Sequence, residues 1–99
     1  MTTTFLELDA ISEPVRQDVR VAVSILSAYA GVCRIWLFGS LAKGRTPDFR
    51  SDLDVAVEGL PAEQHLRAWG RLDEALQLPP DLVRWEEANE TLRAEITCW

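Results

Sequence analysis

The sequence predicts an α/β protein of the α+β type, a small mixed β-sheet backed by helices on one face. Three observations predict it. Two long segments repeat apolar residues at helical spacing. Between and after them lie three short runs rich in β-forming residues. Glycine or proline closes nearly every one of these segments. The 99 residues, 47% hydrophobic and 26% charged, suit one globular domain spanning residues 1–99 and exclude a disordered chain.

The first helix is expected from Pro14 to Ala30. Val15, Val19, Ala22, Val23, Leu26 and Ala30 recur every three or four residues and form one face. Ser12 can cap it, proline is tolerated in its first turn, and Gly31 ends it. Arg16, Asp18 and Arg20 are read as lying largely outside the stripe. Arg34-Ile35-Trp36-Leu37-Phe38 follows as a strand covered on both faces and cut off by Gly39. Ser40 to Lys43 allows about one helical turn before Gly44, and Arg45 to Ser51 reads as a loop.

Asp52 to Val57 alternates as a second strand. Leu53, Val55 and Val57 point one way, and Asp52 and Asp54 the other. A second helix is expected from Pro61 to Leu78, with Ala62, Leu66, Trp69, Leu72 and Leu76 inward. Gly70 weakens it by roughly 1 kcal/mol relative to alanine. Pro79-Pro80 stops that helix. Asp81 to Trp85 forms a third strand, and a last helix runs from Ala88 to Ile96 with Ala88, Leu92 and Ile96 inward.

Composition also restricts function. The net charge of −6 argues against a general or sequence-specific nucleic-acid binder, whose affinity comes from neutralising phosphates. Residues 34–51 nevertheless hold four cations against one anion, a basic island suited to one compact anion. No apolar run approaches the roughly 20 residues needed to span a bilayer. The N-terminus lacks a basic leader, and Cys33 and Cys98 are too few for a disulfide scaffold, so a reduced, cytoplasmic protein is expected.

The candidate chemistry begins at Gly39-Ser40. Glycine after a buried strand lets backbone approach a ligand, and the free N–H groups of a following helical turn attract phosphate. Ser40 adds a hydroxyl and Lys43 a charge; taken alone, the dipeptide reads first as a tight strand-to-helix turn with a capping serine. Asp52 and Asp54 share a face. They either sit in solvent or hold a hard cation such as magnesium, which favours carboxylates and substrate phosphates. Asp81, opening the neighbouring strand, can reach the same patch. Three acids facing a phosphate-binding turn could hold two magnesium ions against a nucleotide.

Phe38-Gly39-Ser40, then eleven residues from Leu41 to Ser51, then Asp52-Leu53-Asp54, resembles the nucleotidyltransferase signature of the DNA polymerase β superfamily. The small size resembles the minimal nucleotidyltransferases (MNT) of prokaryotes, and Asp81-Leu82-Val83 resembles their third-acid strand. The resemblance implies that Gly39, Ser40 and Lys43 bind the triphosphate of ATP or another NTP. It implies that Asp52, Asp54 and Asp81 are the catalytic and magnesium-binding acids. It further implies transfer of a nucleoside monophosphate, AMP above all, to a hydroxyl of a partner protein. That partner would be a HEPN-domain RNase toxin for which the chain is the antitoxin. The alternative is a non-catalytic nucleotide-binding antitoxin that acts by contact. Small-molecule acceptors and template-directed synthesis rank lower, since the chain has no second domain to hold a drug and an acidic surface. The chain stops at Thr97-Cys98-Trp99, where relatives often continue.

The remaining conspicuous residues have duller readings. His65 is expected on the surface, Trp36, Trp69 and Trp85 in the core, and Glu86, Glu87, Glu90 and Glu95 on a solvated face. Trp99 and the sheet edges leave room for a homodimer or a hetero-oligomer.

Overall fold

A computed structural model describes residues 2–3, 13–39 and 51–97. The elements are β1 (Thr2–Thr3), α1 (Glu13–Ser27), β2 (Arg34–Phe38), β3 (Leu53–Glu58), α2 (His65–Ala75), β4 (Pro80–Arg84) and α3 (Glu90–Thr97). Short 3-10 turns at Ala62–Gln64 and Trp85–Glu87 precede the last two helices. The sheet order is β1-β2-β3-β4, with β2 and β3 antiparallel and both outer pairs parallel. This is the mixed α+β sheet that the sequence predicts. The two-residue β1 carries no sequence signal long enough to reveal it.

Alternation along β2 and β3 builds two cores. Ile35, Leu37, Leu53, Val55 and Val57 pack with Val15, Ala22 and Leu26 of α1 and Ala68 and Leu72 of α2. Trp36, Phe38 and Ala56 face the other way and meet Ala88 and Ile96. Helices α1 and α2 therefore back one face as expected, and α3 adds cover to the other. A strand that is apolar from Ile35 to Phe38 requires it, because Trp36 and Phe38 would otherwise present their rings to water. Trp85 stacks on Trp36 with ring centroids 4.6 Å apart. The Arg93 guanidinium lies 4.7 Å over the Trp85 ring and donates to Trp85 O, which ties α3 to this face.

Several local expectations need correction. In α2 Leu72 is inward as expected, as is Leu76 just past the helix end, but Ala68 is the other inward residue and Leu66 is 78% exposed. The helix proper begins at His65, after a 3-10 turn, and at 3.6 residues per turn Leu66 stands about 120° around the helix from Leu72, off the inward face. Trp69 is partly exposed, because its indole N–H reaches back to Pro80 O at 3.0 Å and keeps the ring at the helix rim. Asp18 is buried rather than outside the stripe. Three residues after Val15 and four before Ala22, it falls on the inward face by spacing alone.

Strand β4 is the sheet edge, and Leu53 N donates to Pro79 O at 2.8 Å. In a parallel pair the polar groups of residues 79 and 81 then face β3, and those of Pro80 and Leu82 face outward. Proline suits such an edge because it has no N–H to leave unpaired. Both outward carbonyls are closed by α2. Trp69 donates to Pro80 O, and His65 Nε2 lies 2.7 Å from Leu82 O. A carbonyl only accepts, so Nε2 carries the proton. His65 is half-buried and holds an edge strand, which corrects the surface reading.

Candidate functional site

The carboxylates gather where β2 ends and β3 and β4 begin. Asp54, in the central strand β3, is paired across the sheet with Phe38 on one side and Asp81 on the other. Period-two alternation turns Asp54 away from the Leu53, Val55 and Val57 core, towards the face covered by α3. In a parallel pair in this register the side chains of Asp54 and Asp81 emerge side by side, and they share a hydrogen bond.

Gly39 makes this arrangement possible. Its φ of 81° is left-handed, and a Cβ there would fall onto Asp54 Oδ2. The bend after β2 and the central carboxylate are therefore in direct contact. Ser40 and Lys43 lie outside the described residues, as do the predicted helical turn and the loop up to Arg50.

Electrostatics mark Asp54 as the strained member of the group. Its carboxyl is pushed up from 3.8 to about 6, first by burial and then by the charges of Asp81 and Asp52. Its hydrogen bond with Asp81 and the charge of Glu95 on α3 push the same way. Asp81 and Asp52 are exposed, and Asp52 stands just before β3. Among the described residues no three His, Cys, Asp or Glu side chains stand close enough together to hold a metal ion as placed. The close pair is Asp54 and Asp81, and Asp52 acts on it through charge. Two carboxylates side by side are oxygen donors that suit a hard cation, and magnesium is often held by only one or two carboxylates beside substrate phosphates.

Sequence reasoning did not single out Glu95, since it assigned that residue to a solvated face. It is exposed, yet it sits next to Ile96, which is fully buried against the sheet. Adjacency to an inward residue near the end of the last helix was the available signal. A polar side chain fixes the start of α3. Asn89 Oδ1 accepts from Leu92 N at 2.8 Å and caps its first turn. Among the described residues no helix is long and apolar enough to cross a membrane.

The sequence profile described as polymerase beta, nucleotidyltransferase, matches residues 22–98. No curated protein matches the chain. Three solved structures resemble it. A chain in the complex of a tri-AMPylated HEPN toxin from Shewanella oneidensis with an MNT antitoxin superposes with a TM-score of 0.63 at 22% identity, over 83% of this chain and 65% of that one. The toxin–antitoxin MntA-HepT gives 0.63 at 22% identity, covering 82% and 64%. A toxin–antitoxin with AMP-PNP gives 0.64 at 25% identity, covering 81% and 64%. The chain thus spans slightly under two thirds of the length of these chains.

Proposed function

The chain belongs to the polymerase β nucleotidyltransferase family, and on that premise we propose that it moves AMP from ATP to a hydroxyl of a HEPN-type toxin. The observation that carries the reading is the contact of Gly39 with Asp54 and of Asp54 with Asp81. A turn able to receive phosphate then adjoins a pair of carboxylates able to receive cations. Structures that resemble the chain contain a HEPN toxin with an MNT antitoxin, in one case with the toxin carrying AMP. They support a HEPN toxin as partner and protein as acceptor.

In this reading Gly39 and Ser40 hold the triphosphate and Lys43 adds positive charge. Asp52, Asp54 and Asp81 supply oxygen ligands for Mg2+, with two ions engaged. When bound, the metal neutralises phosphate charge and stabilises the departing pyrophosphate. The acceptor oxygen forms a bond to the α-phosphorus as the bond to pyrophosphate breaks. The hydroxyl proton passes to Asp81, the exposed acid of the pair. Burial keeps Asp54 fixed between Gly39 and Asp81, so the ligand oxygens need little rearrangement.

A second reading, neutralisation by contact without catalysis, is favoured by one observation. Leu66 is 78% exposed and Trp69 38% exposed, three residues apart on α2, an apolar pair that a partner could cover. Incubation with α-labelled ATP, Mg2+ and a cognate HEPN toxin separates the two. Label on the toxin with wild type and none with Asp52→Asn/Asp54→Asn supports transfer. Absence of label with wild type, or toxin neutralised equally by the double variant, supports contact.

A further inference from the structure

Asp18 is the one buried charged or polar residue among the described core positions, 1% exposed on the inward face of α1. Its two carboxylate oxygens are spent on backbone. Gln77 N donates to Oδ1 at 3.0 Å and Leu78 N donates to Oδ2 at 2.9 Å, across about sixty residues of sequence. These amides belong to the short connection between α2 and β4. The next residue, Pro79, accepts from Leu53 N, and its successors Pro80 and Asp81 open β4 beside Leu53 and Asp54. The chain therefore runs from the anchored amide of Leu78 to Asp81 in three residues.

A carboxylate buried this deeply costs free energy unless its oxygens are satisfied, so the two N–H donors are what make it tolerable. An apolar residue would fill the same space in the core without that constraint. What the carboxylate adds is a fixed point for the connection. A slip of one residue in β4 would turn Asp81 to the opposite face and place Leu82 or Pro80 beside Asp54.

We propose that Asp18 is a positioning residue for the carboxylate site, because its buried side chain fixes the backbone at Gln77 and Leu78 and thereby the register that sets Asp81 beside Asp54. The inference rests on the reading of Asp54 and Asp81 given above, and Asp18 acts on that site only through β4. Sequence separation hides this link, whereas the structure compresses it into two hydrogen bonds.

The test uses the full chain and Asp18→Asn, whose amide keeps one acceptor and turns a donor towards the other N–H. Leu26→Ala, a core truncation elsewhere on α1, serves as the destabilised control. Mn2+ binding in the presence of ATP is read by EPR, and hydrogen exchange reads the amides of Gln77, Leu78 and residues 81–84. Asp18→Asn is expected to weaken Mn2+ binding about tenfold or more, and to accelerate β4 exchange beyond Leu26→Ala at equal folded fraction. If Asp18→Asn does not fold, Asp18→Glu replaces it. It keeps both acceptors on a longer arm, and a smaller loss of Mn2+ affinity with faster β4 exchange is expected. Wild type and the Asp18 variant binding Mn2+ equally overturns this inference alone, as does β4 exchange no faster than in Leu26→Ala. A wild type that binds no Mn2+ overturns the functional reading and this inference with it.

Discussion

Replacing Asp54 by asparagine should make the metal-free protein more stable at neutral pH while removing the proposed AMP transfer. The ionised Asp54 carboxylate is held near Asp81 and Asp52 in a partly desolvated place, which pushes its carboxyl from 3.8 to about 6. That displacement corresponds to about 3 kcal/mol carried by the ionised form. Water reaches part of the side chain, and screening brings the recoverable amount to about 1–2 kcal/mol. Asparagine can still donate to Asp81, so the contact survives without the second charge. The folded protein holds the Asp54 proton more tightly than the unfolded chain. Stability from this group is therefore fully present below pH 3.8, falls as pH rises from there to about 6, and stays lost above. The gain from Asp54→Asn must follow the mirror image: nothing near pH 3.5, growth to about pH 6, and a plateau beyond. Urea unfolding of both proteins from pH 3.5 to 8 in EDTA reads it, with a rise in Tm of about 4–8 °C per kcal/mol as a second measure. A variant less stable than wild type at pH 7.5, or a gain independent of pH, would refute the reasoning.

Other consequences are equally direct. Gly39→Ala places a Cβ onto Asp54 Oδ2 at a left-handed φ, and should cost at least about 1–2 kcal/mol in urea unfolding. It should also abolish label transfer at concentrations where the chain is still folded. Trp69→Phe removes the donor to Pro80 O and should cost about 0.5–1.5 kcal/mol by the same measurement. Mg2+ with ATP should raise the Tm of wild type at pH 7.5 and do so progressively less as pH falls through 6, because a proton on Asp54 competes with the cation. EDTA should reverse the rise.

Much of this architecture is legible in the sequence because its signals are local. Strand β2 is bounded by Gly39 and built from consecutive apolar β-formers, and its residues match the expectation to the ends. Alternation of Leu53, Asp54 and Val55 fixes which side the acid takes, and the structure agrees. What escapes depends on distant parts of the chain. Ala68 faces the core although Leu66 and Trp69 outweigh it in hydropathy, because the inward face of α2 is chosen by what it packs against. His65 and Trp69 look like surface and core until an edge strand needs its outward carbonyls closed. Asp18 reads as a solvated charge on a helix, because its partners are backbone amides about sixty residues away. The Gly39–Asp54–Asp81 contact is similarly only half visible. Spacing gives the face of each residue, but the parallel pairing of β3 with β4 supplies the meeting.

The central claim is that the carboxylates at the start of β3 and β4 hold divalent cations against a nucleotide seated at the Gly39 bend. Crystals of the chain grown with AMP-PNP and Mn2+, measured at the manganese absorption edge, test it most directly. The account predicts anomalous density within coordination distance of Asp52 and Asp54 and of the nucleotide phosphates. Nucleotide bound elsewhere, or bound at the bend with no manganese between it and these aspartates, would contradict it.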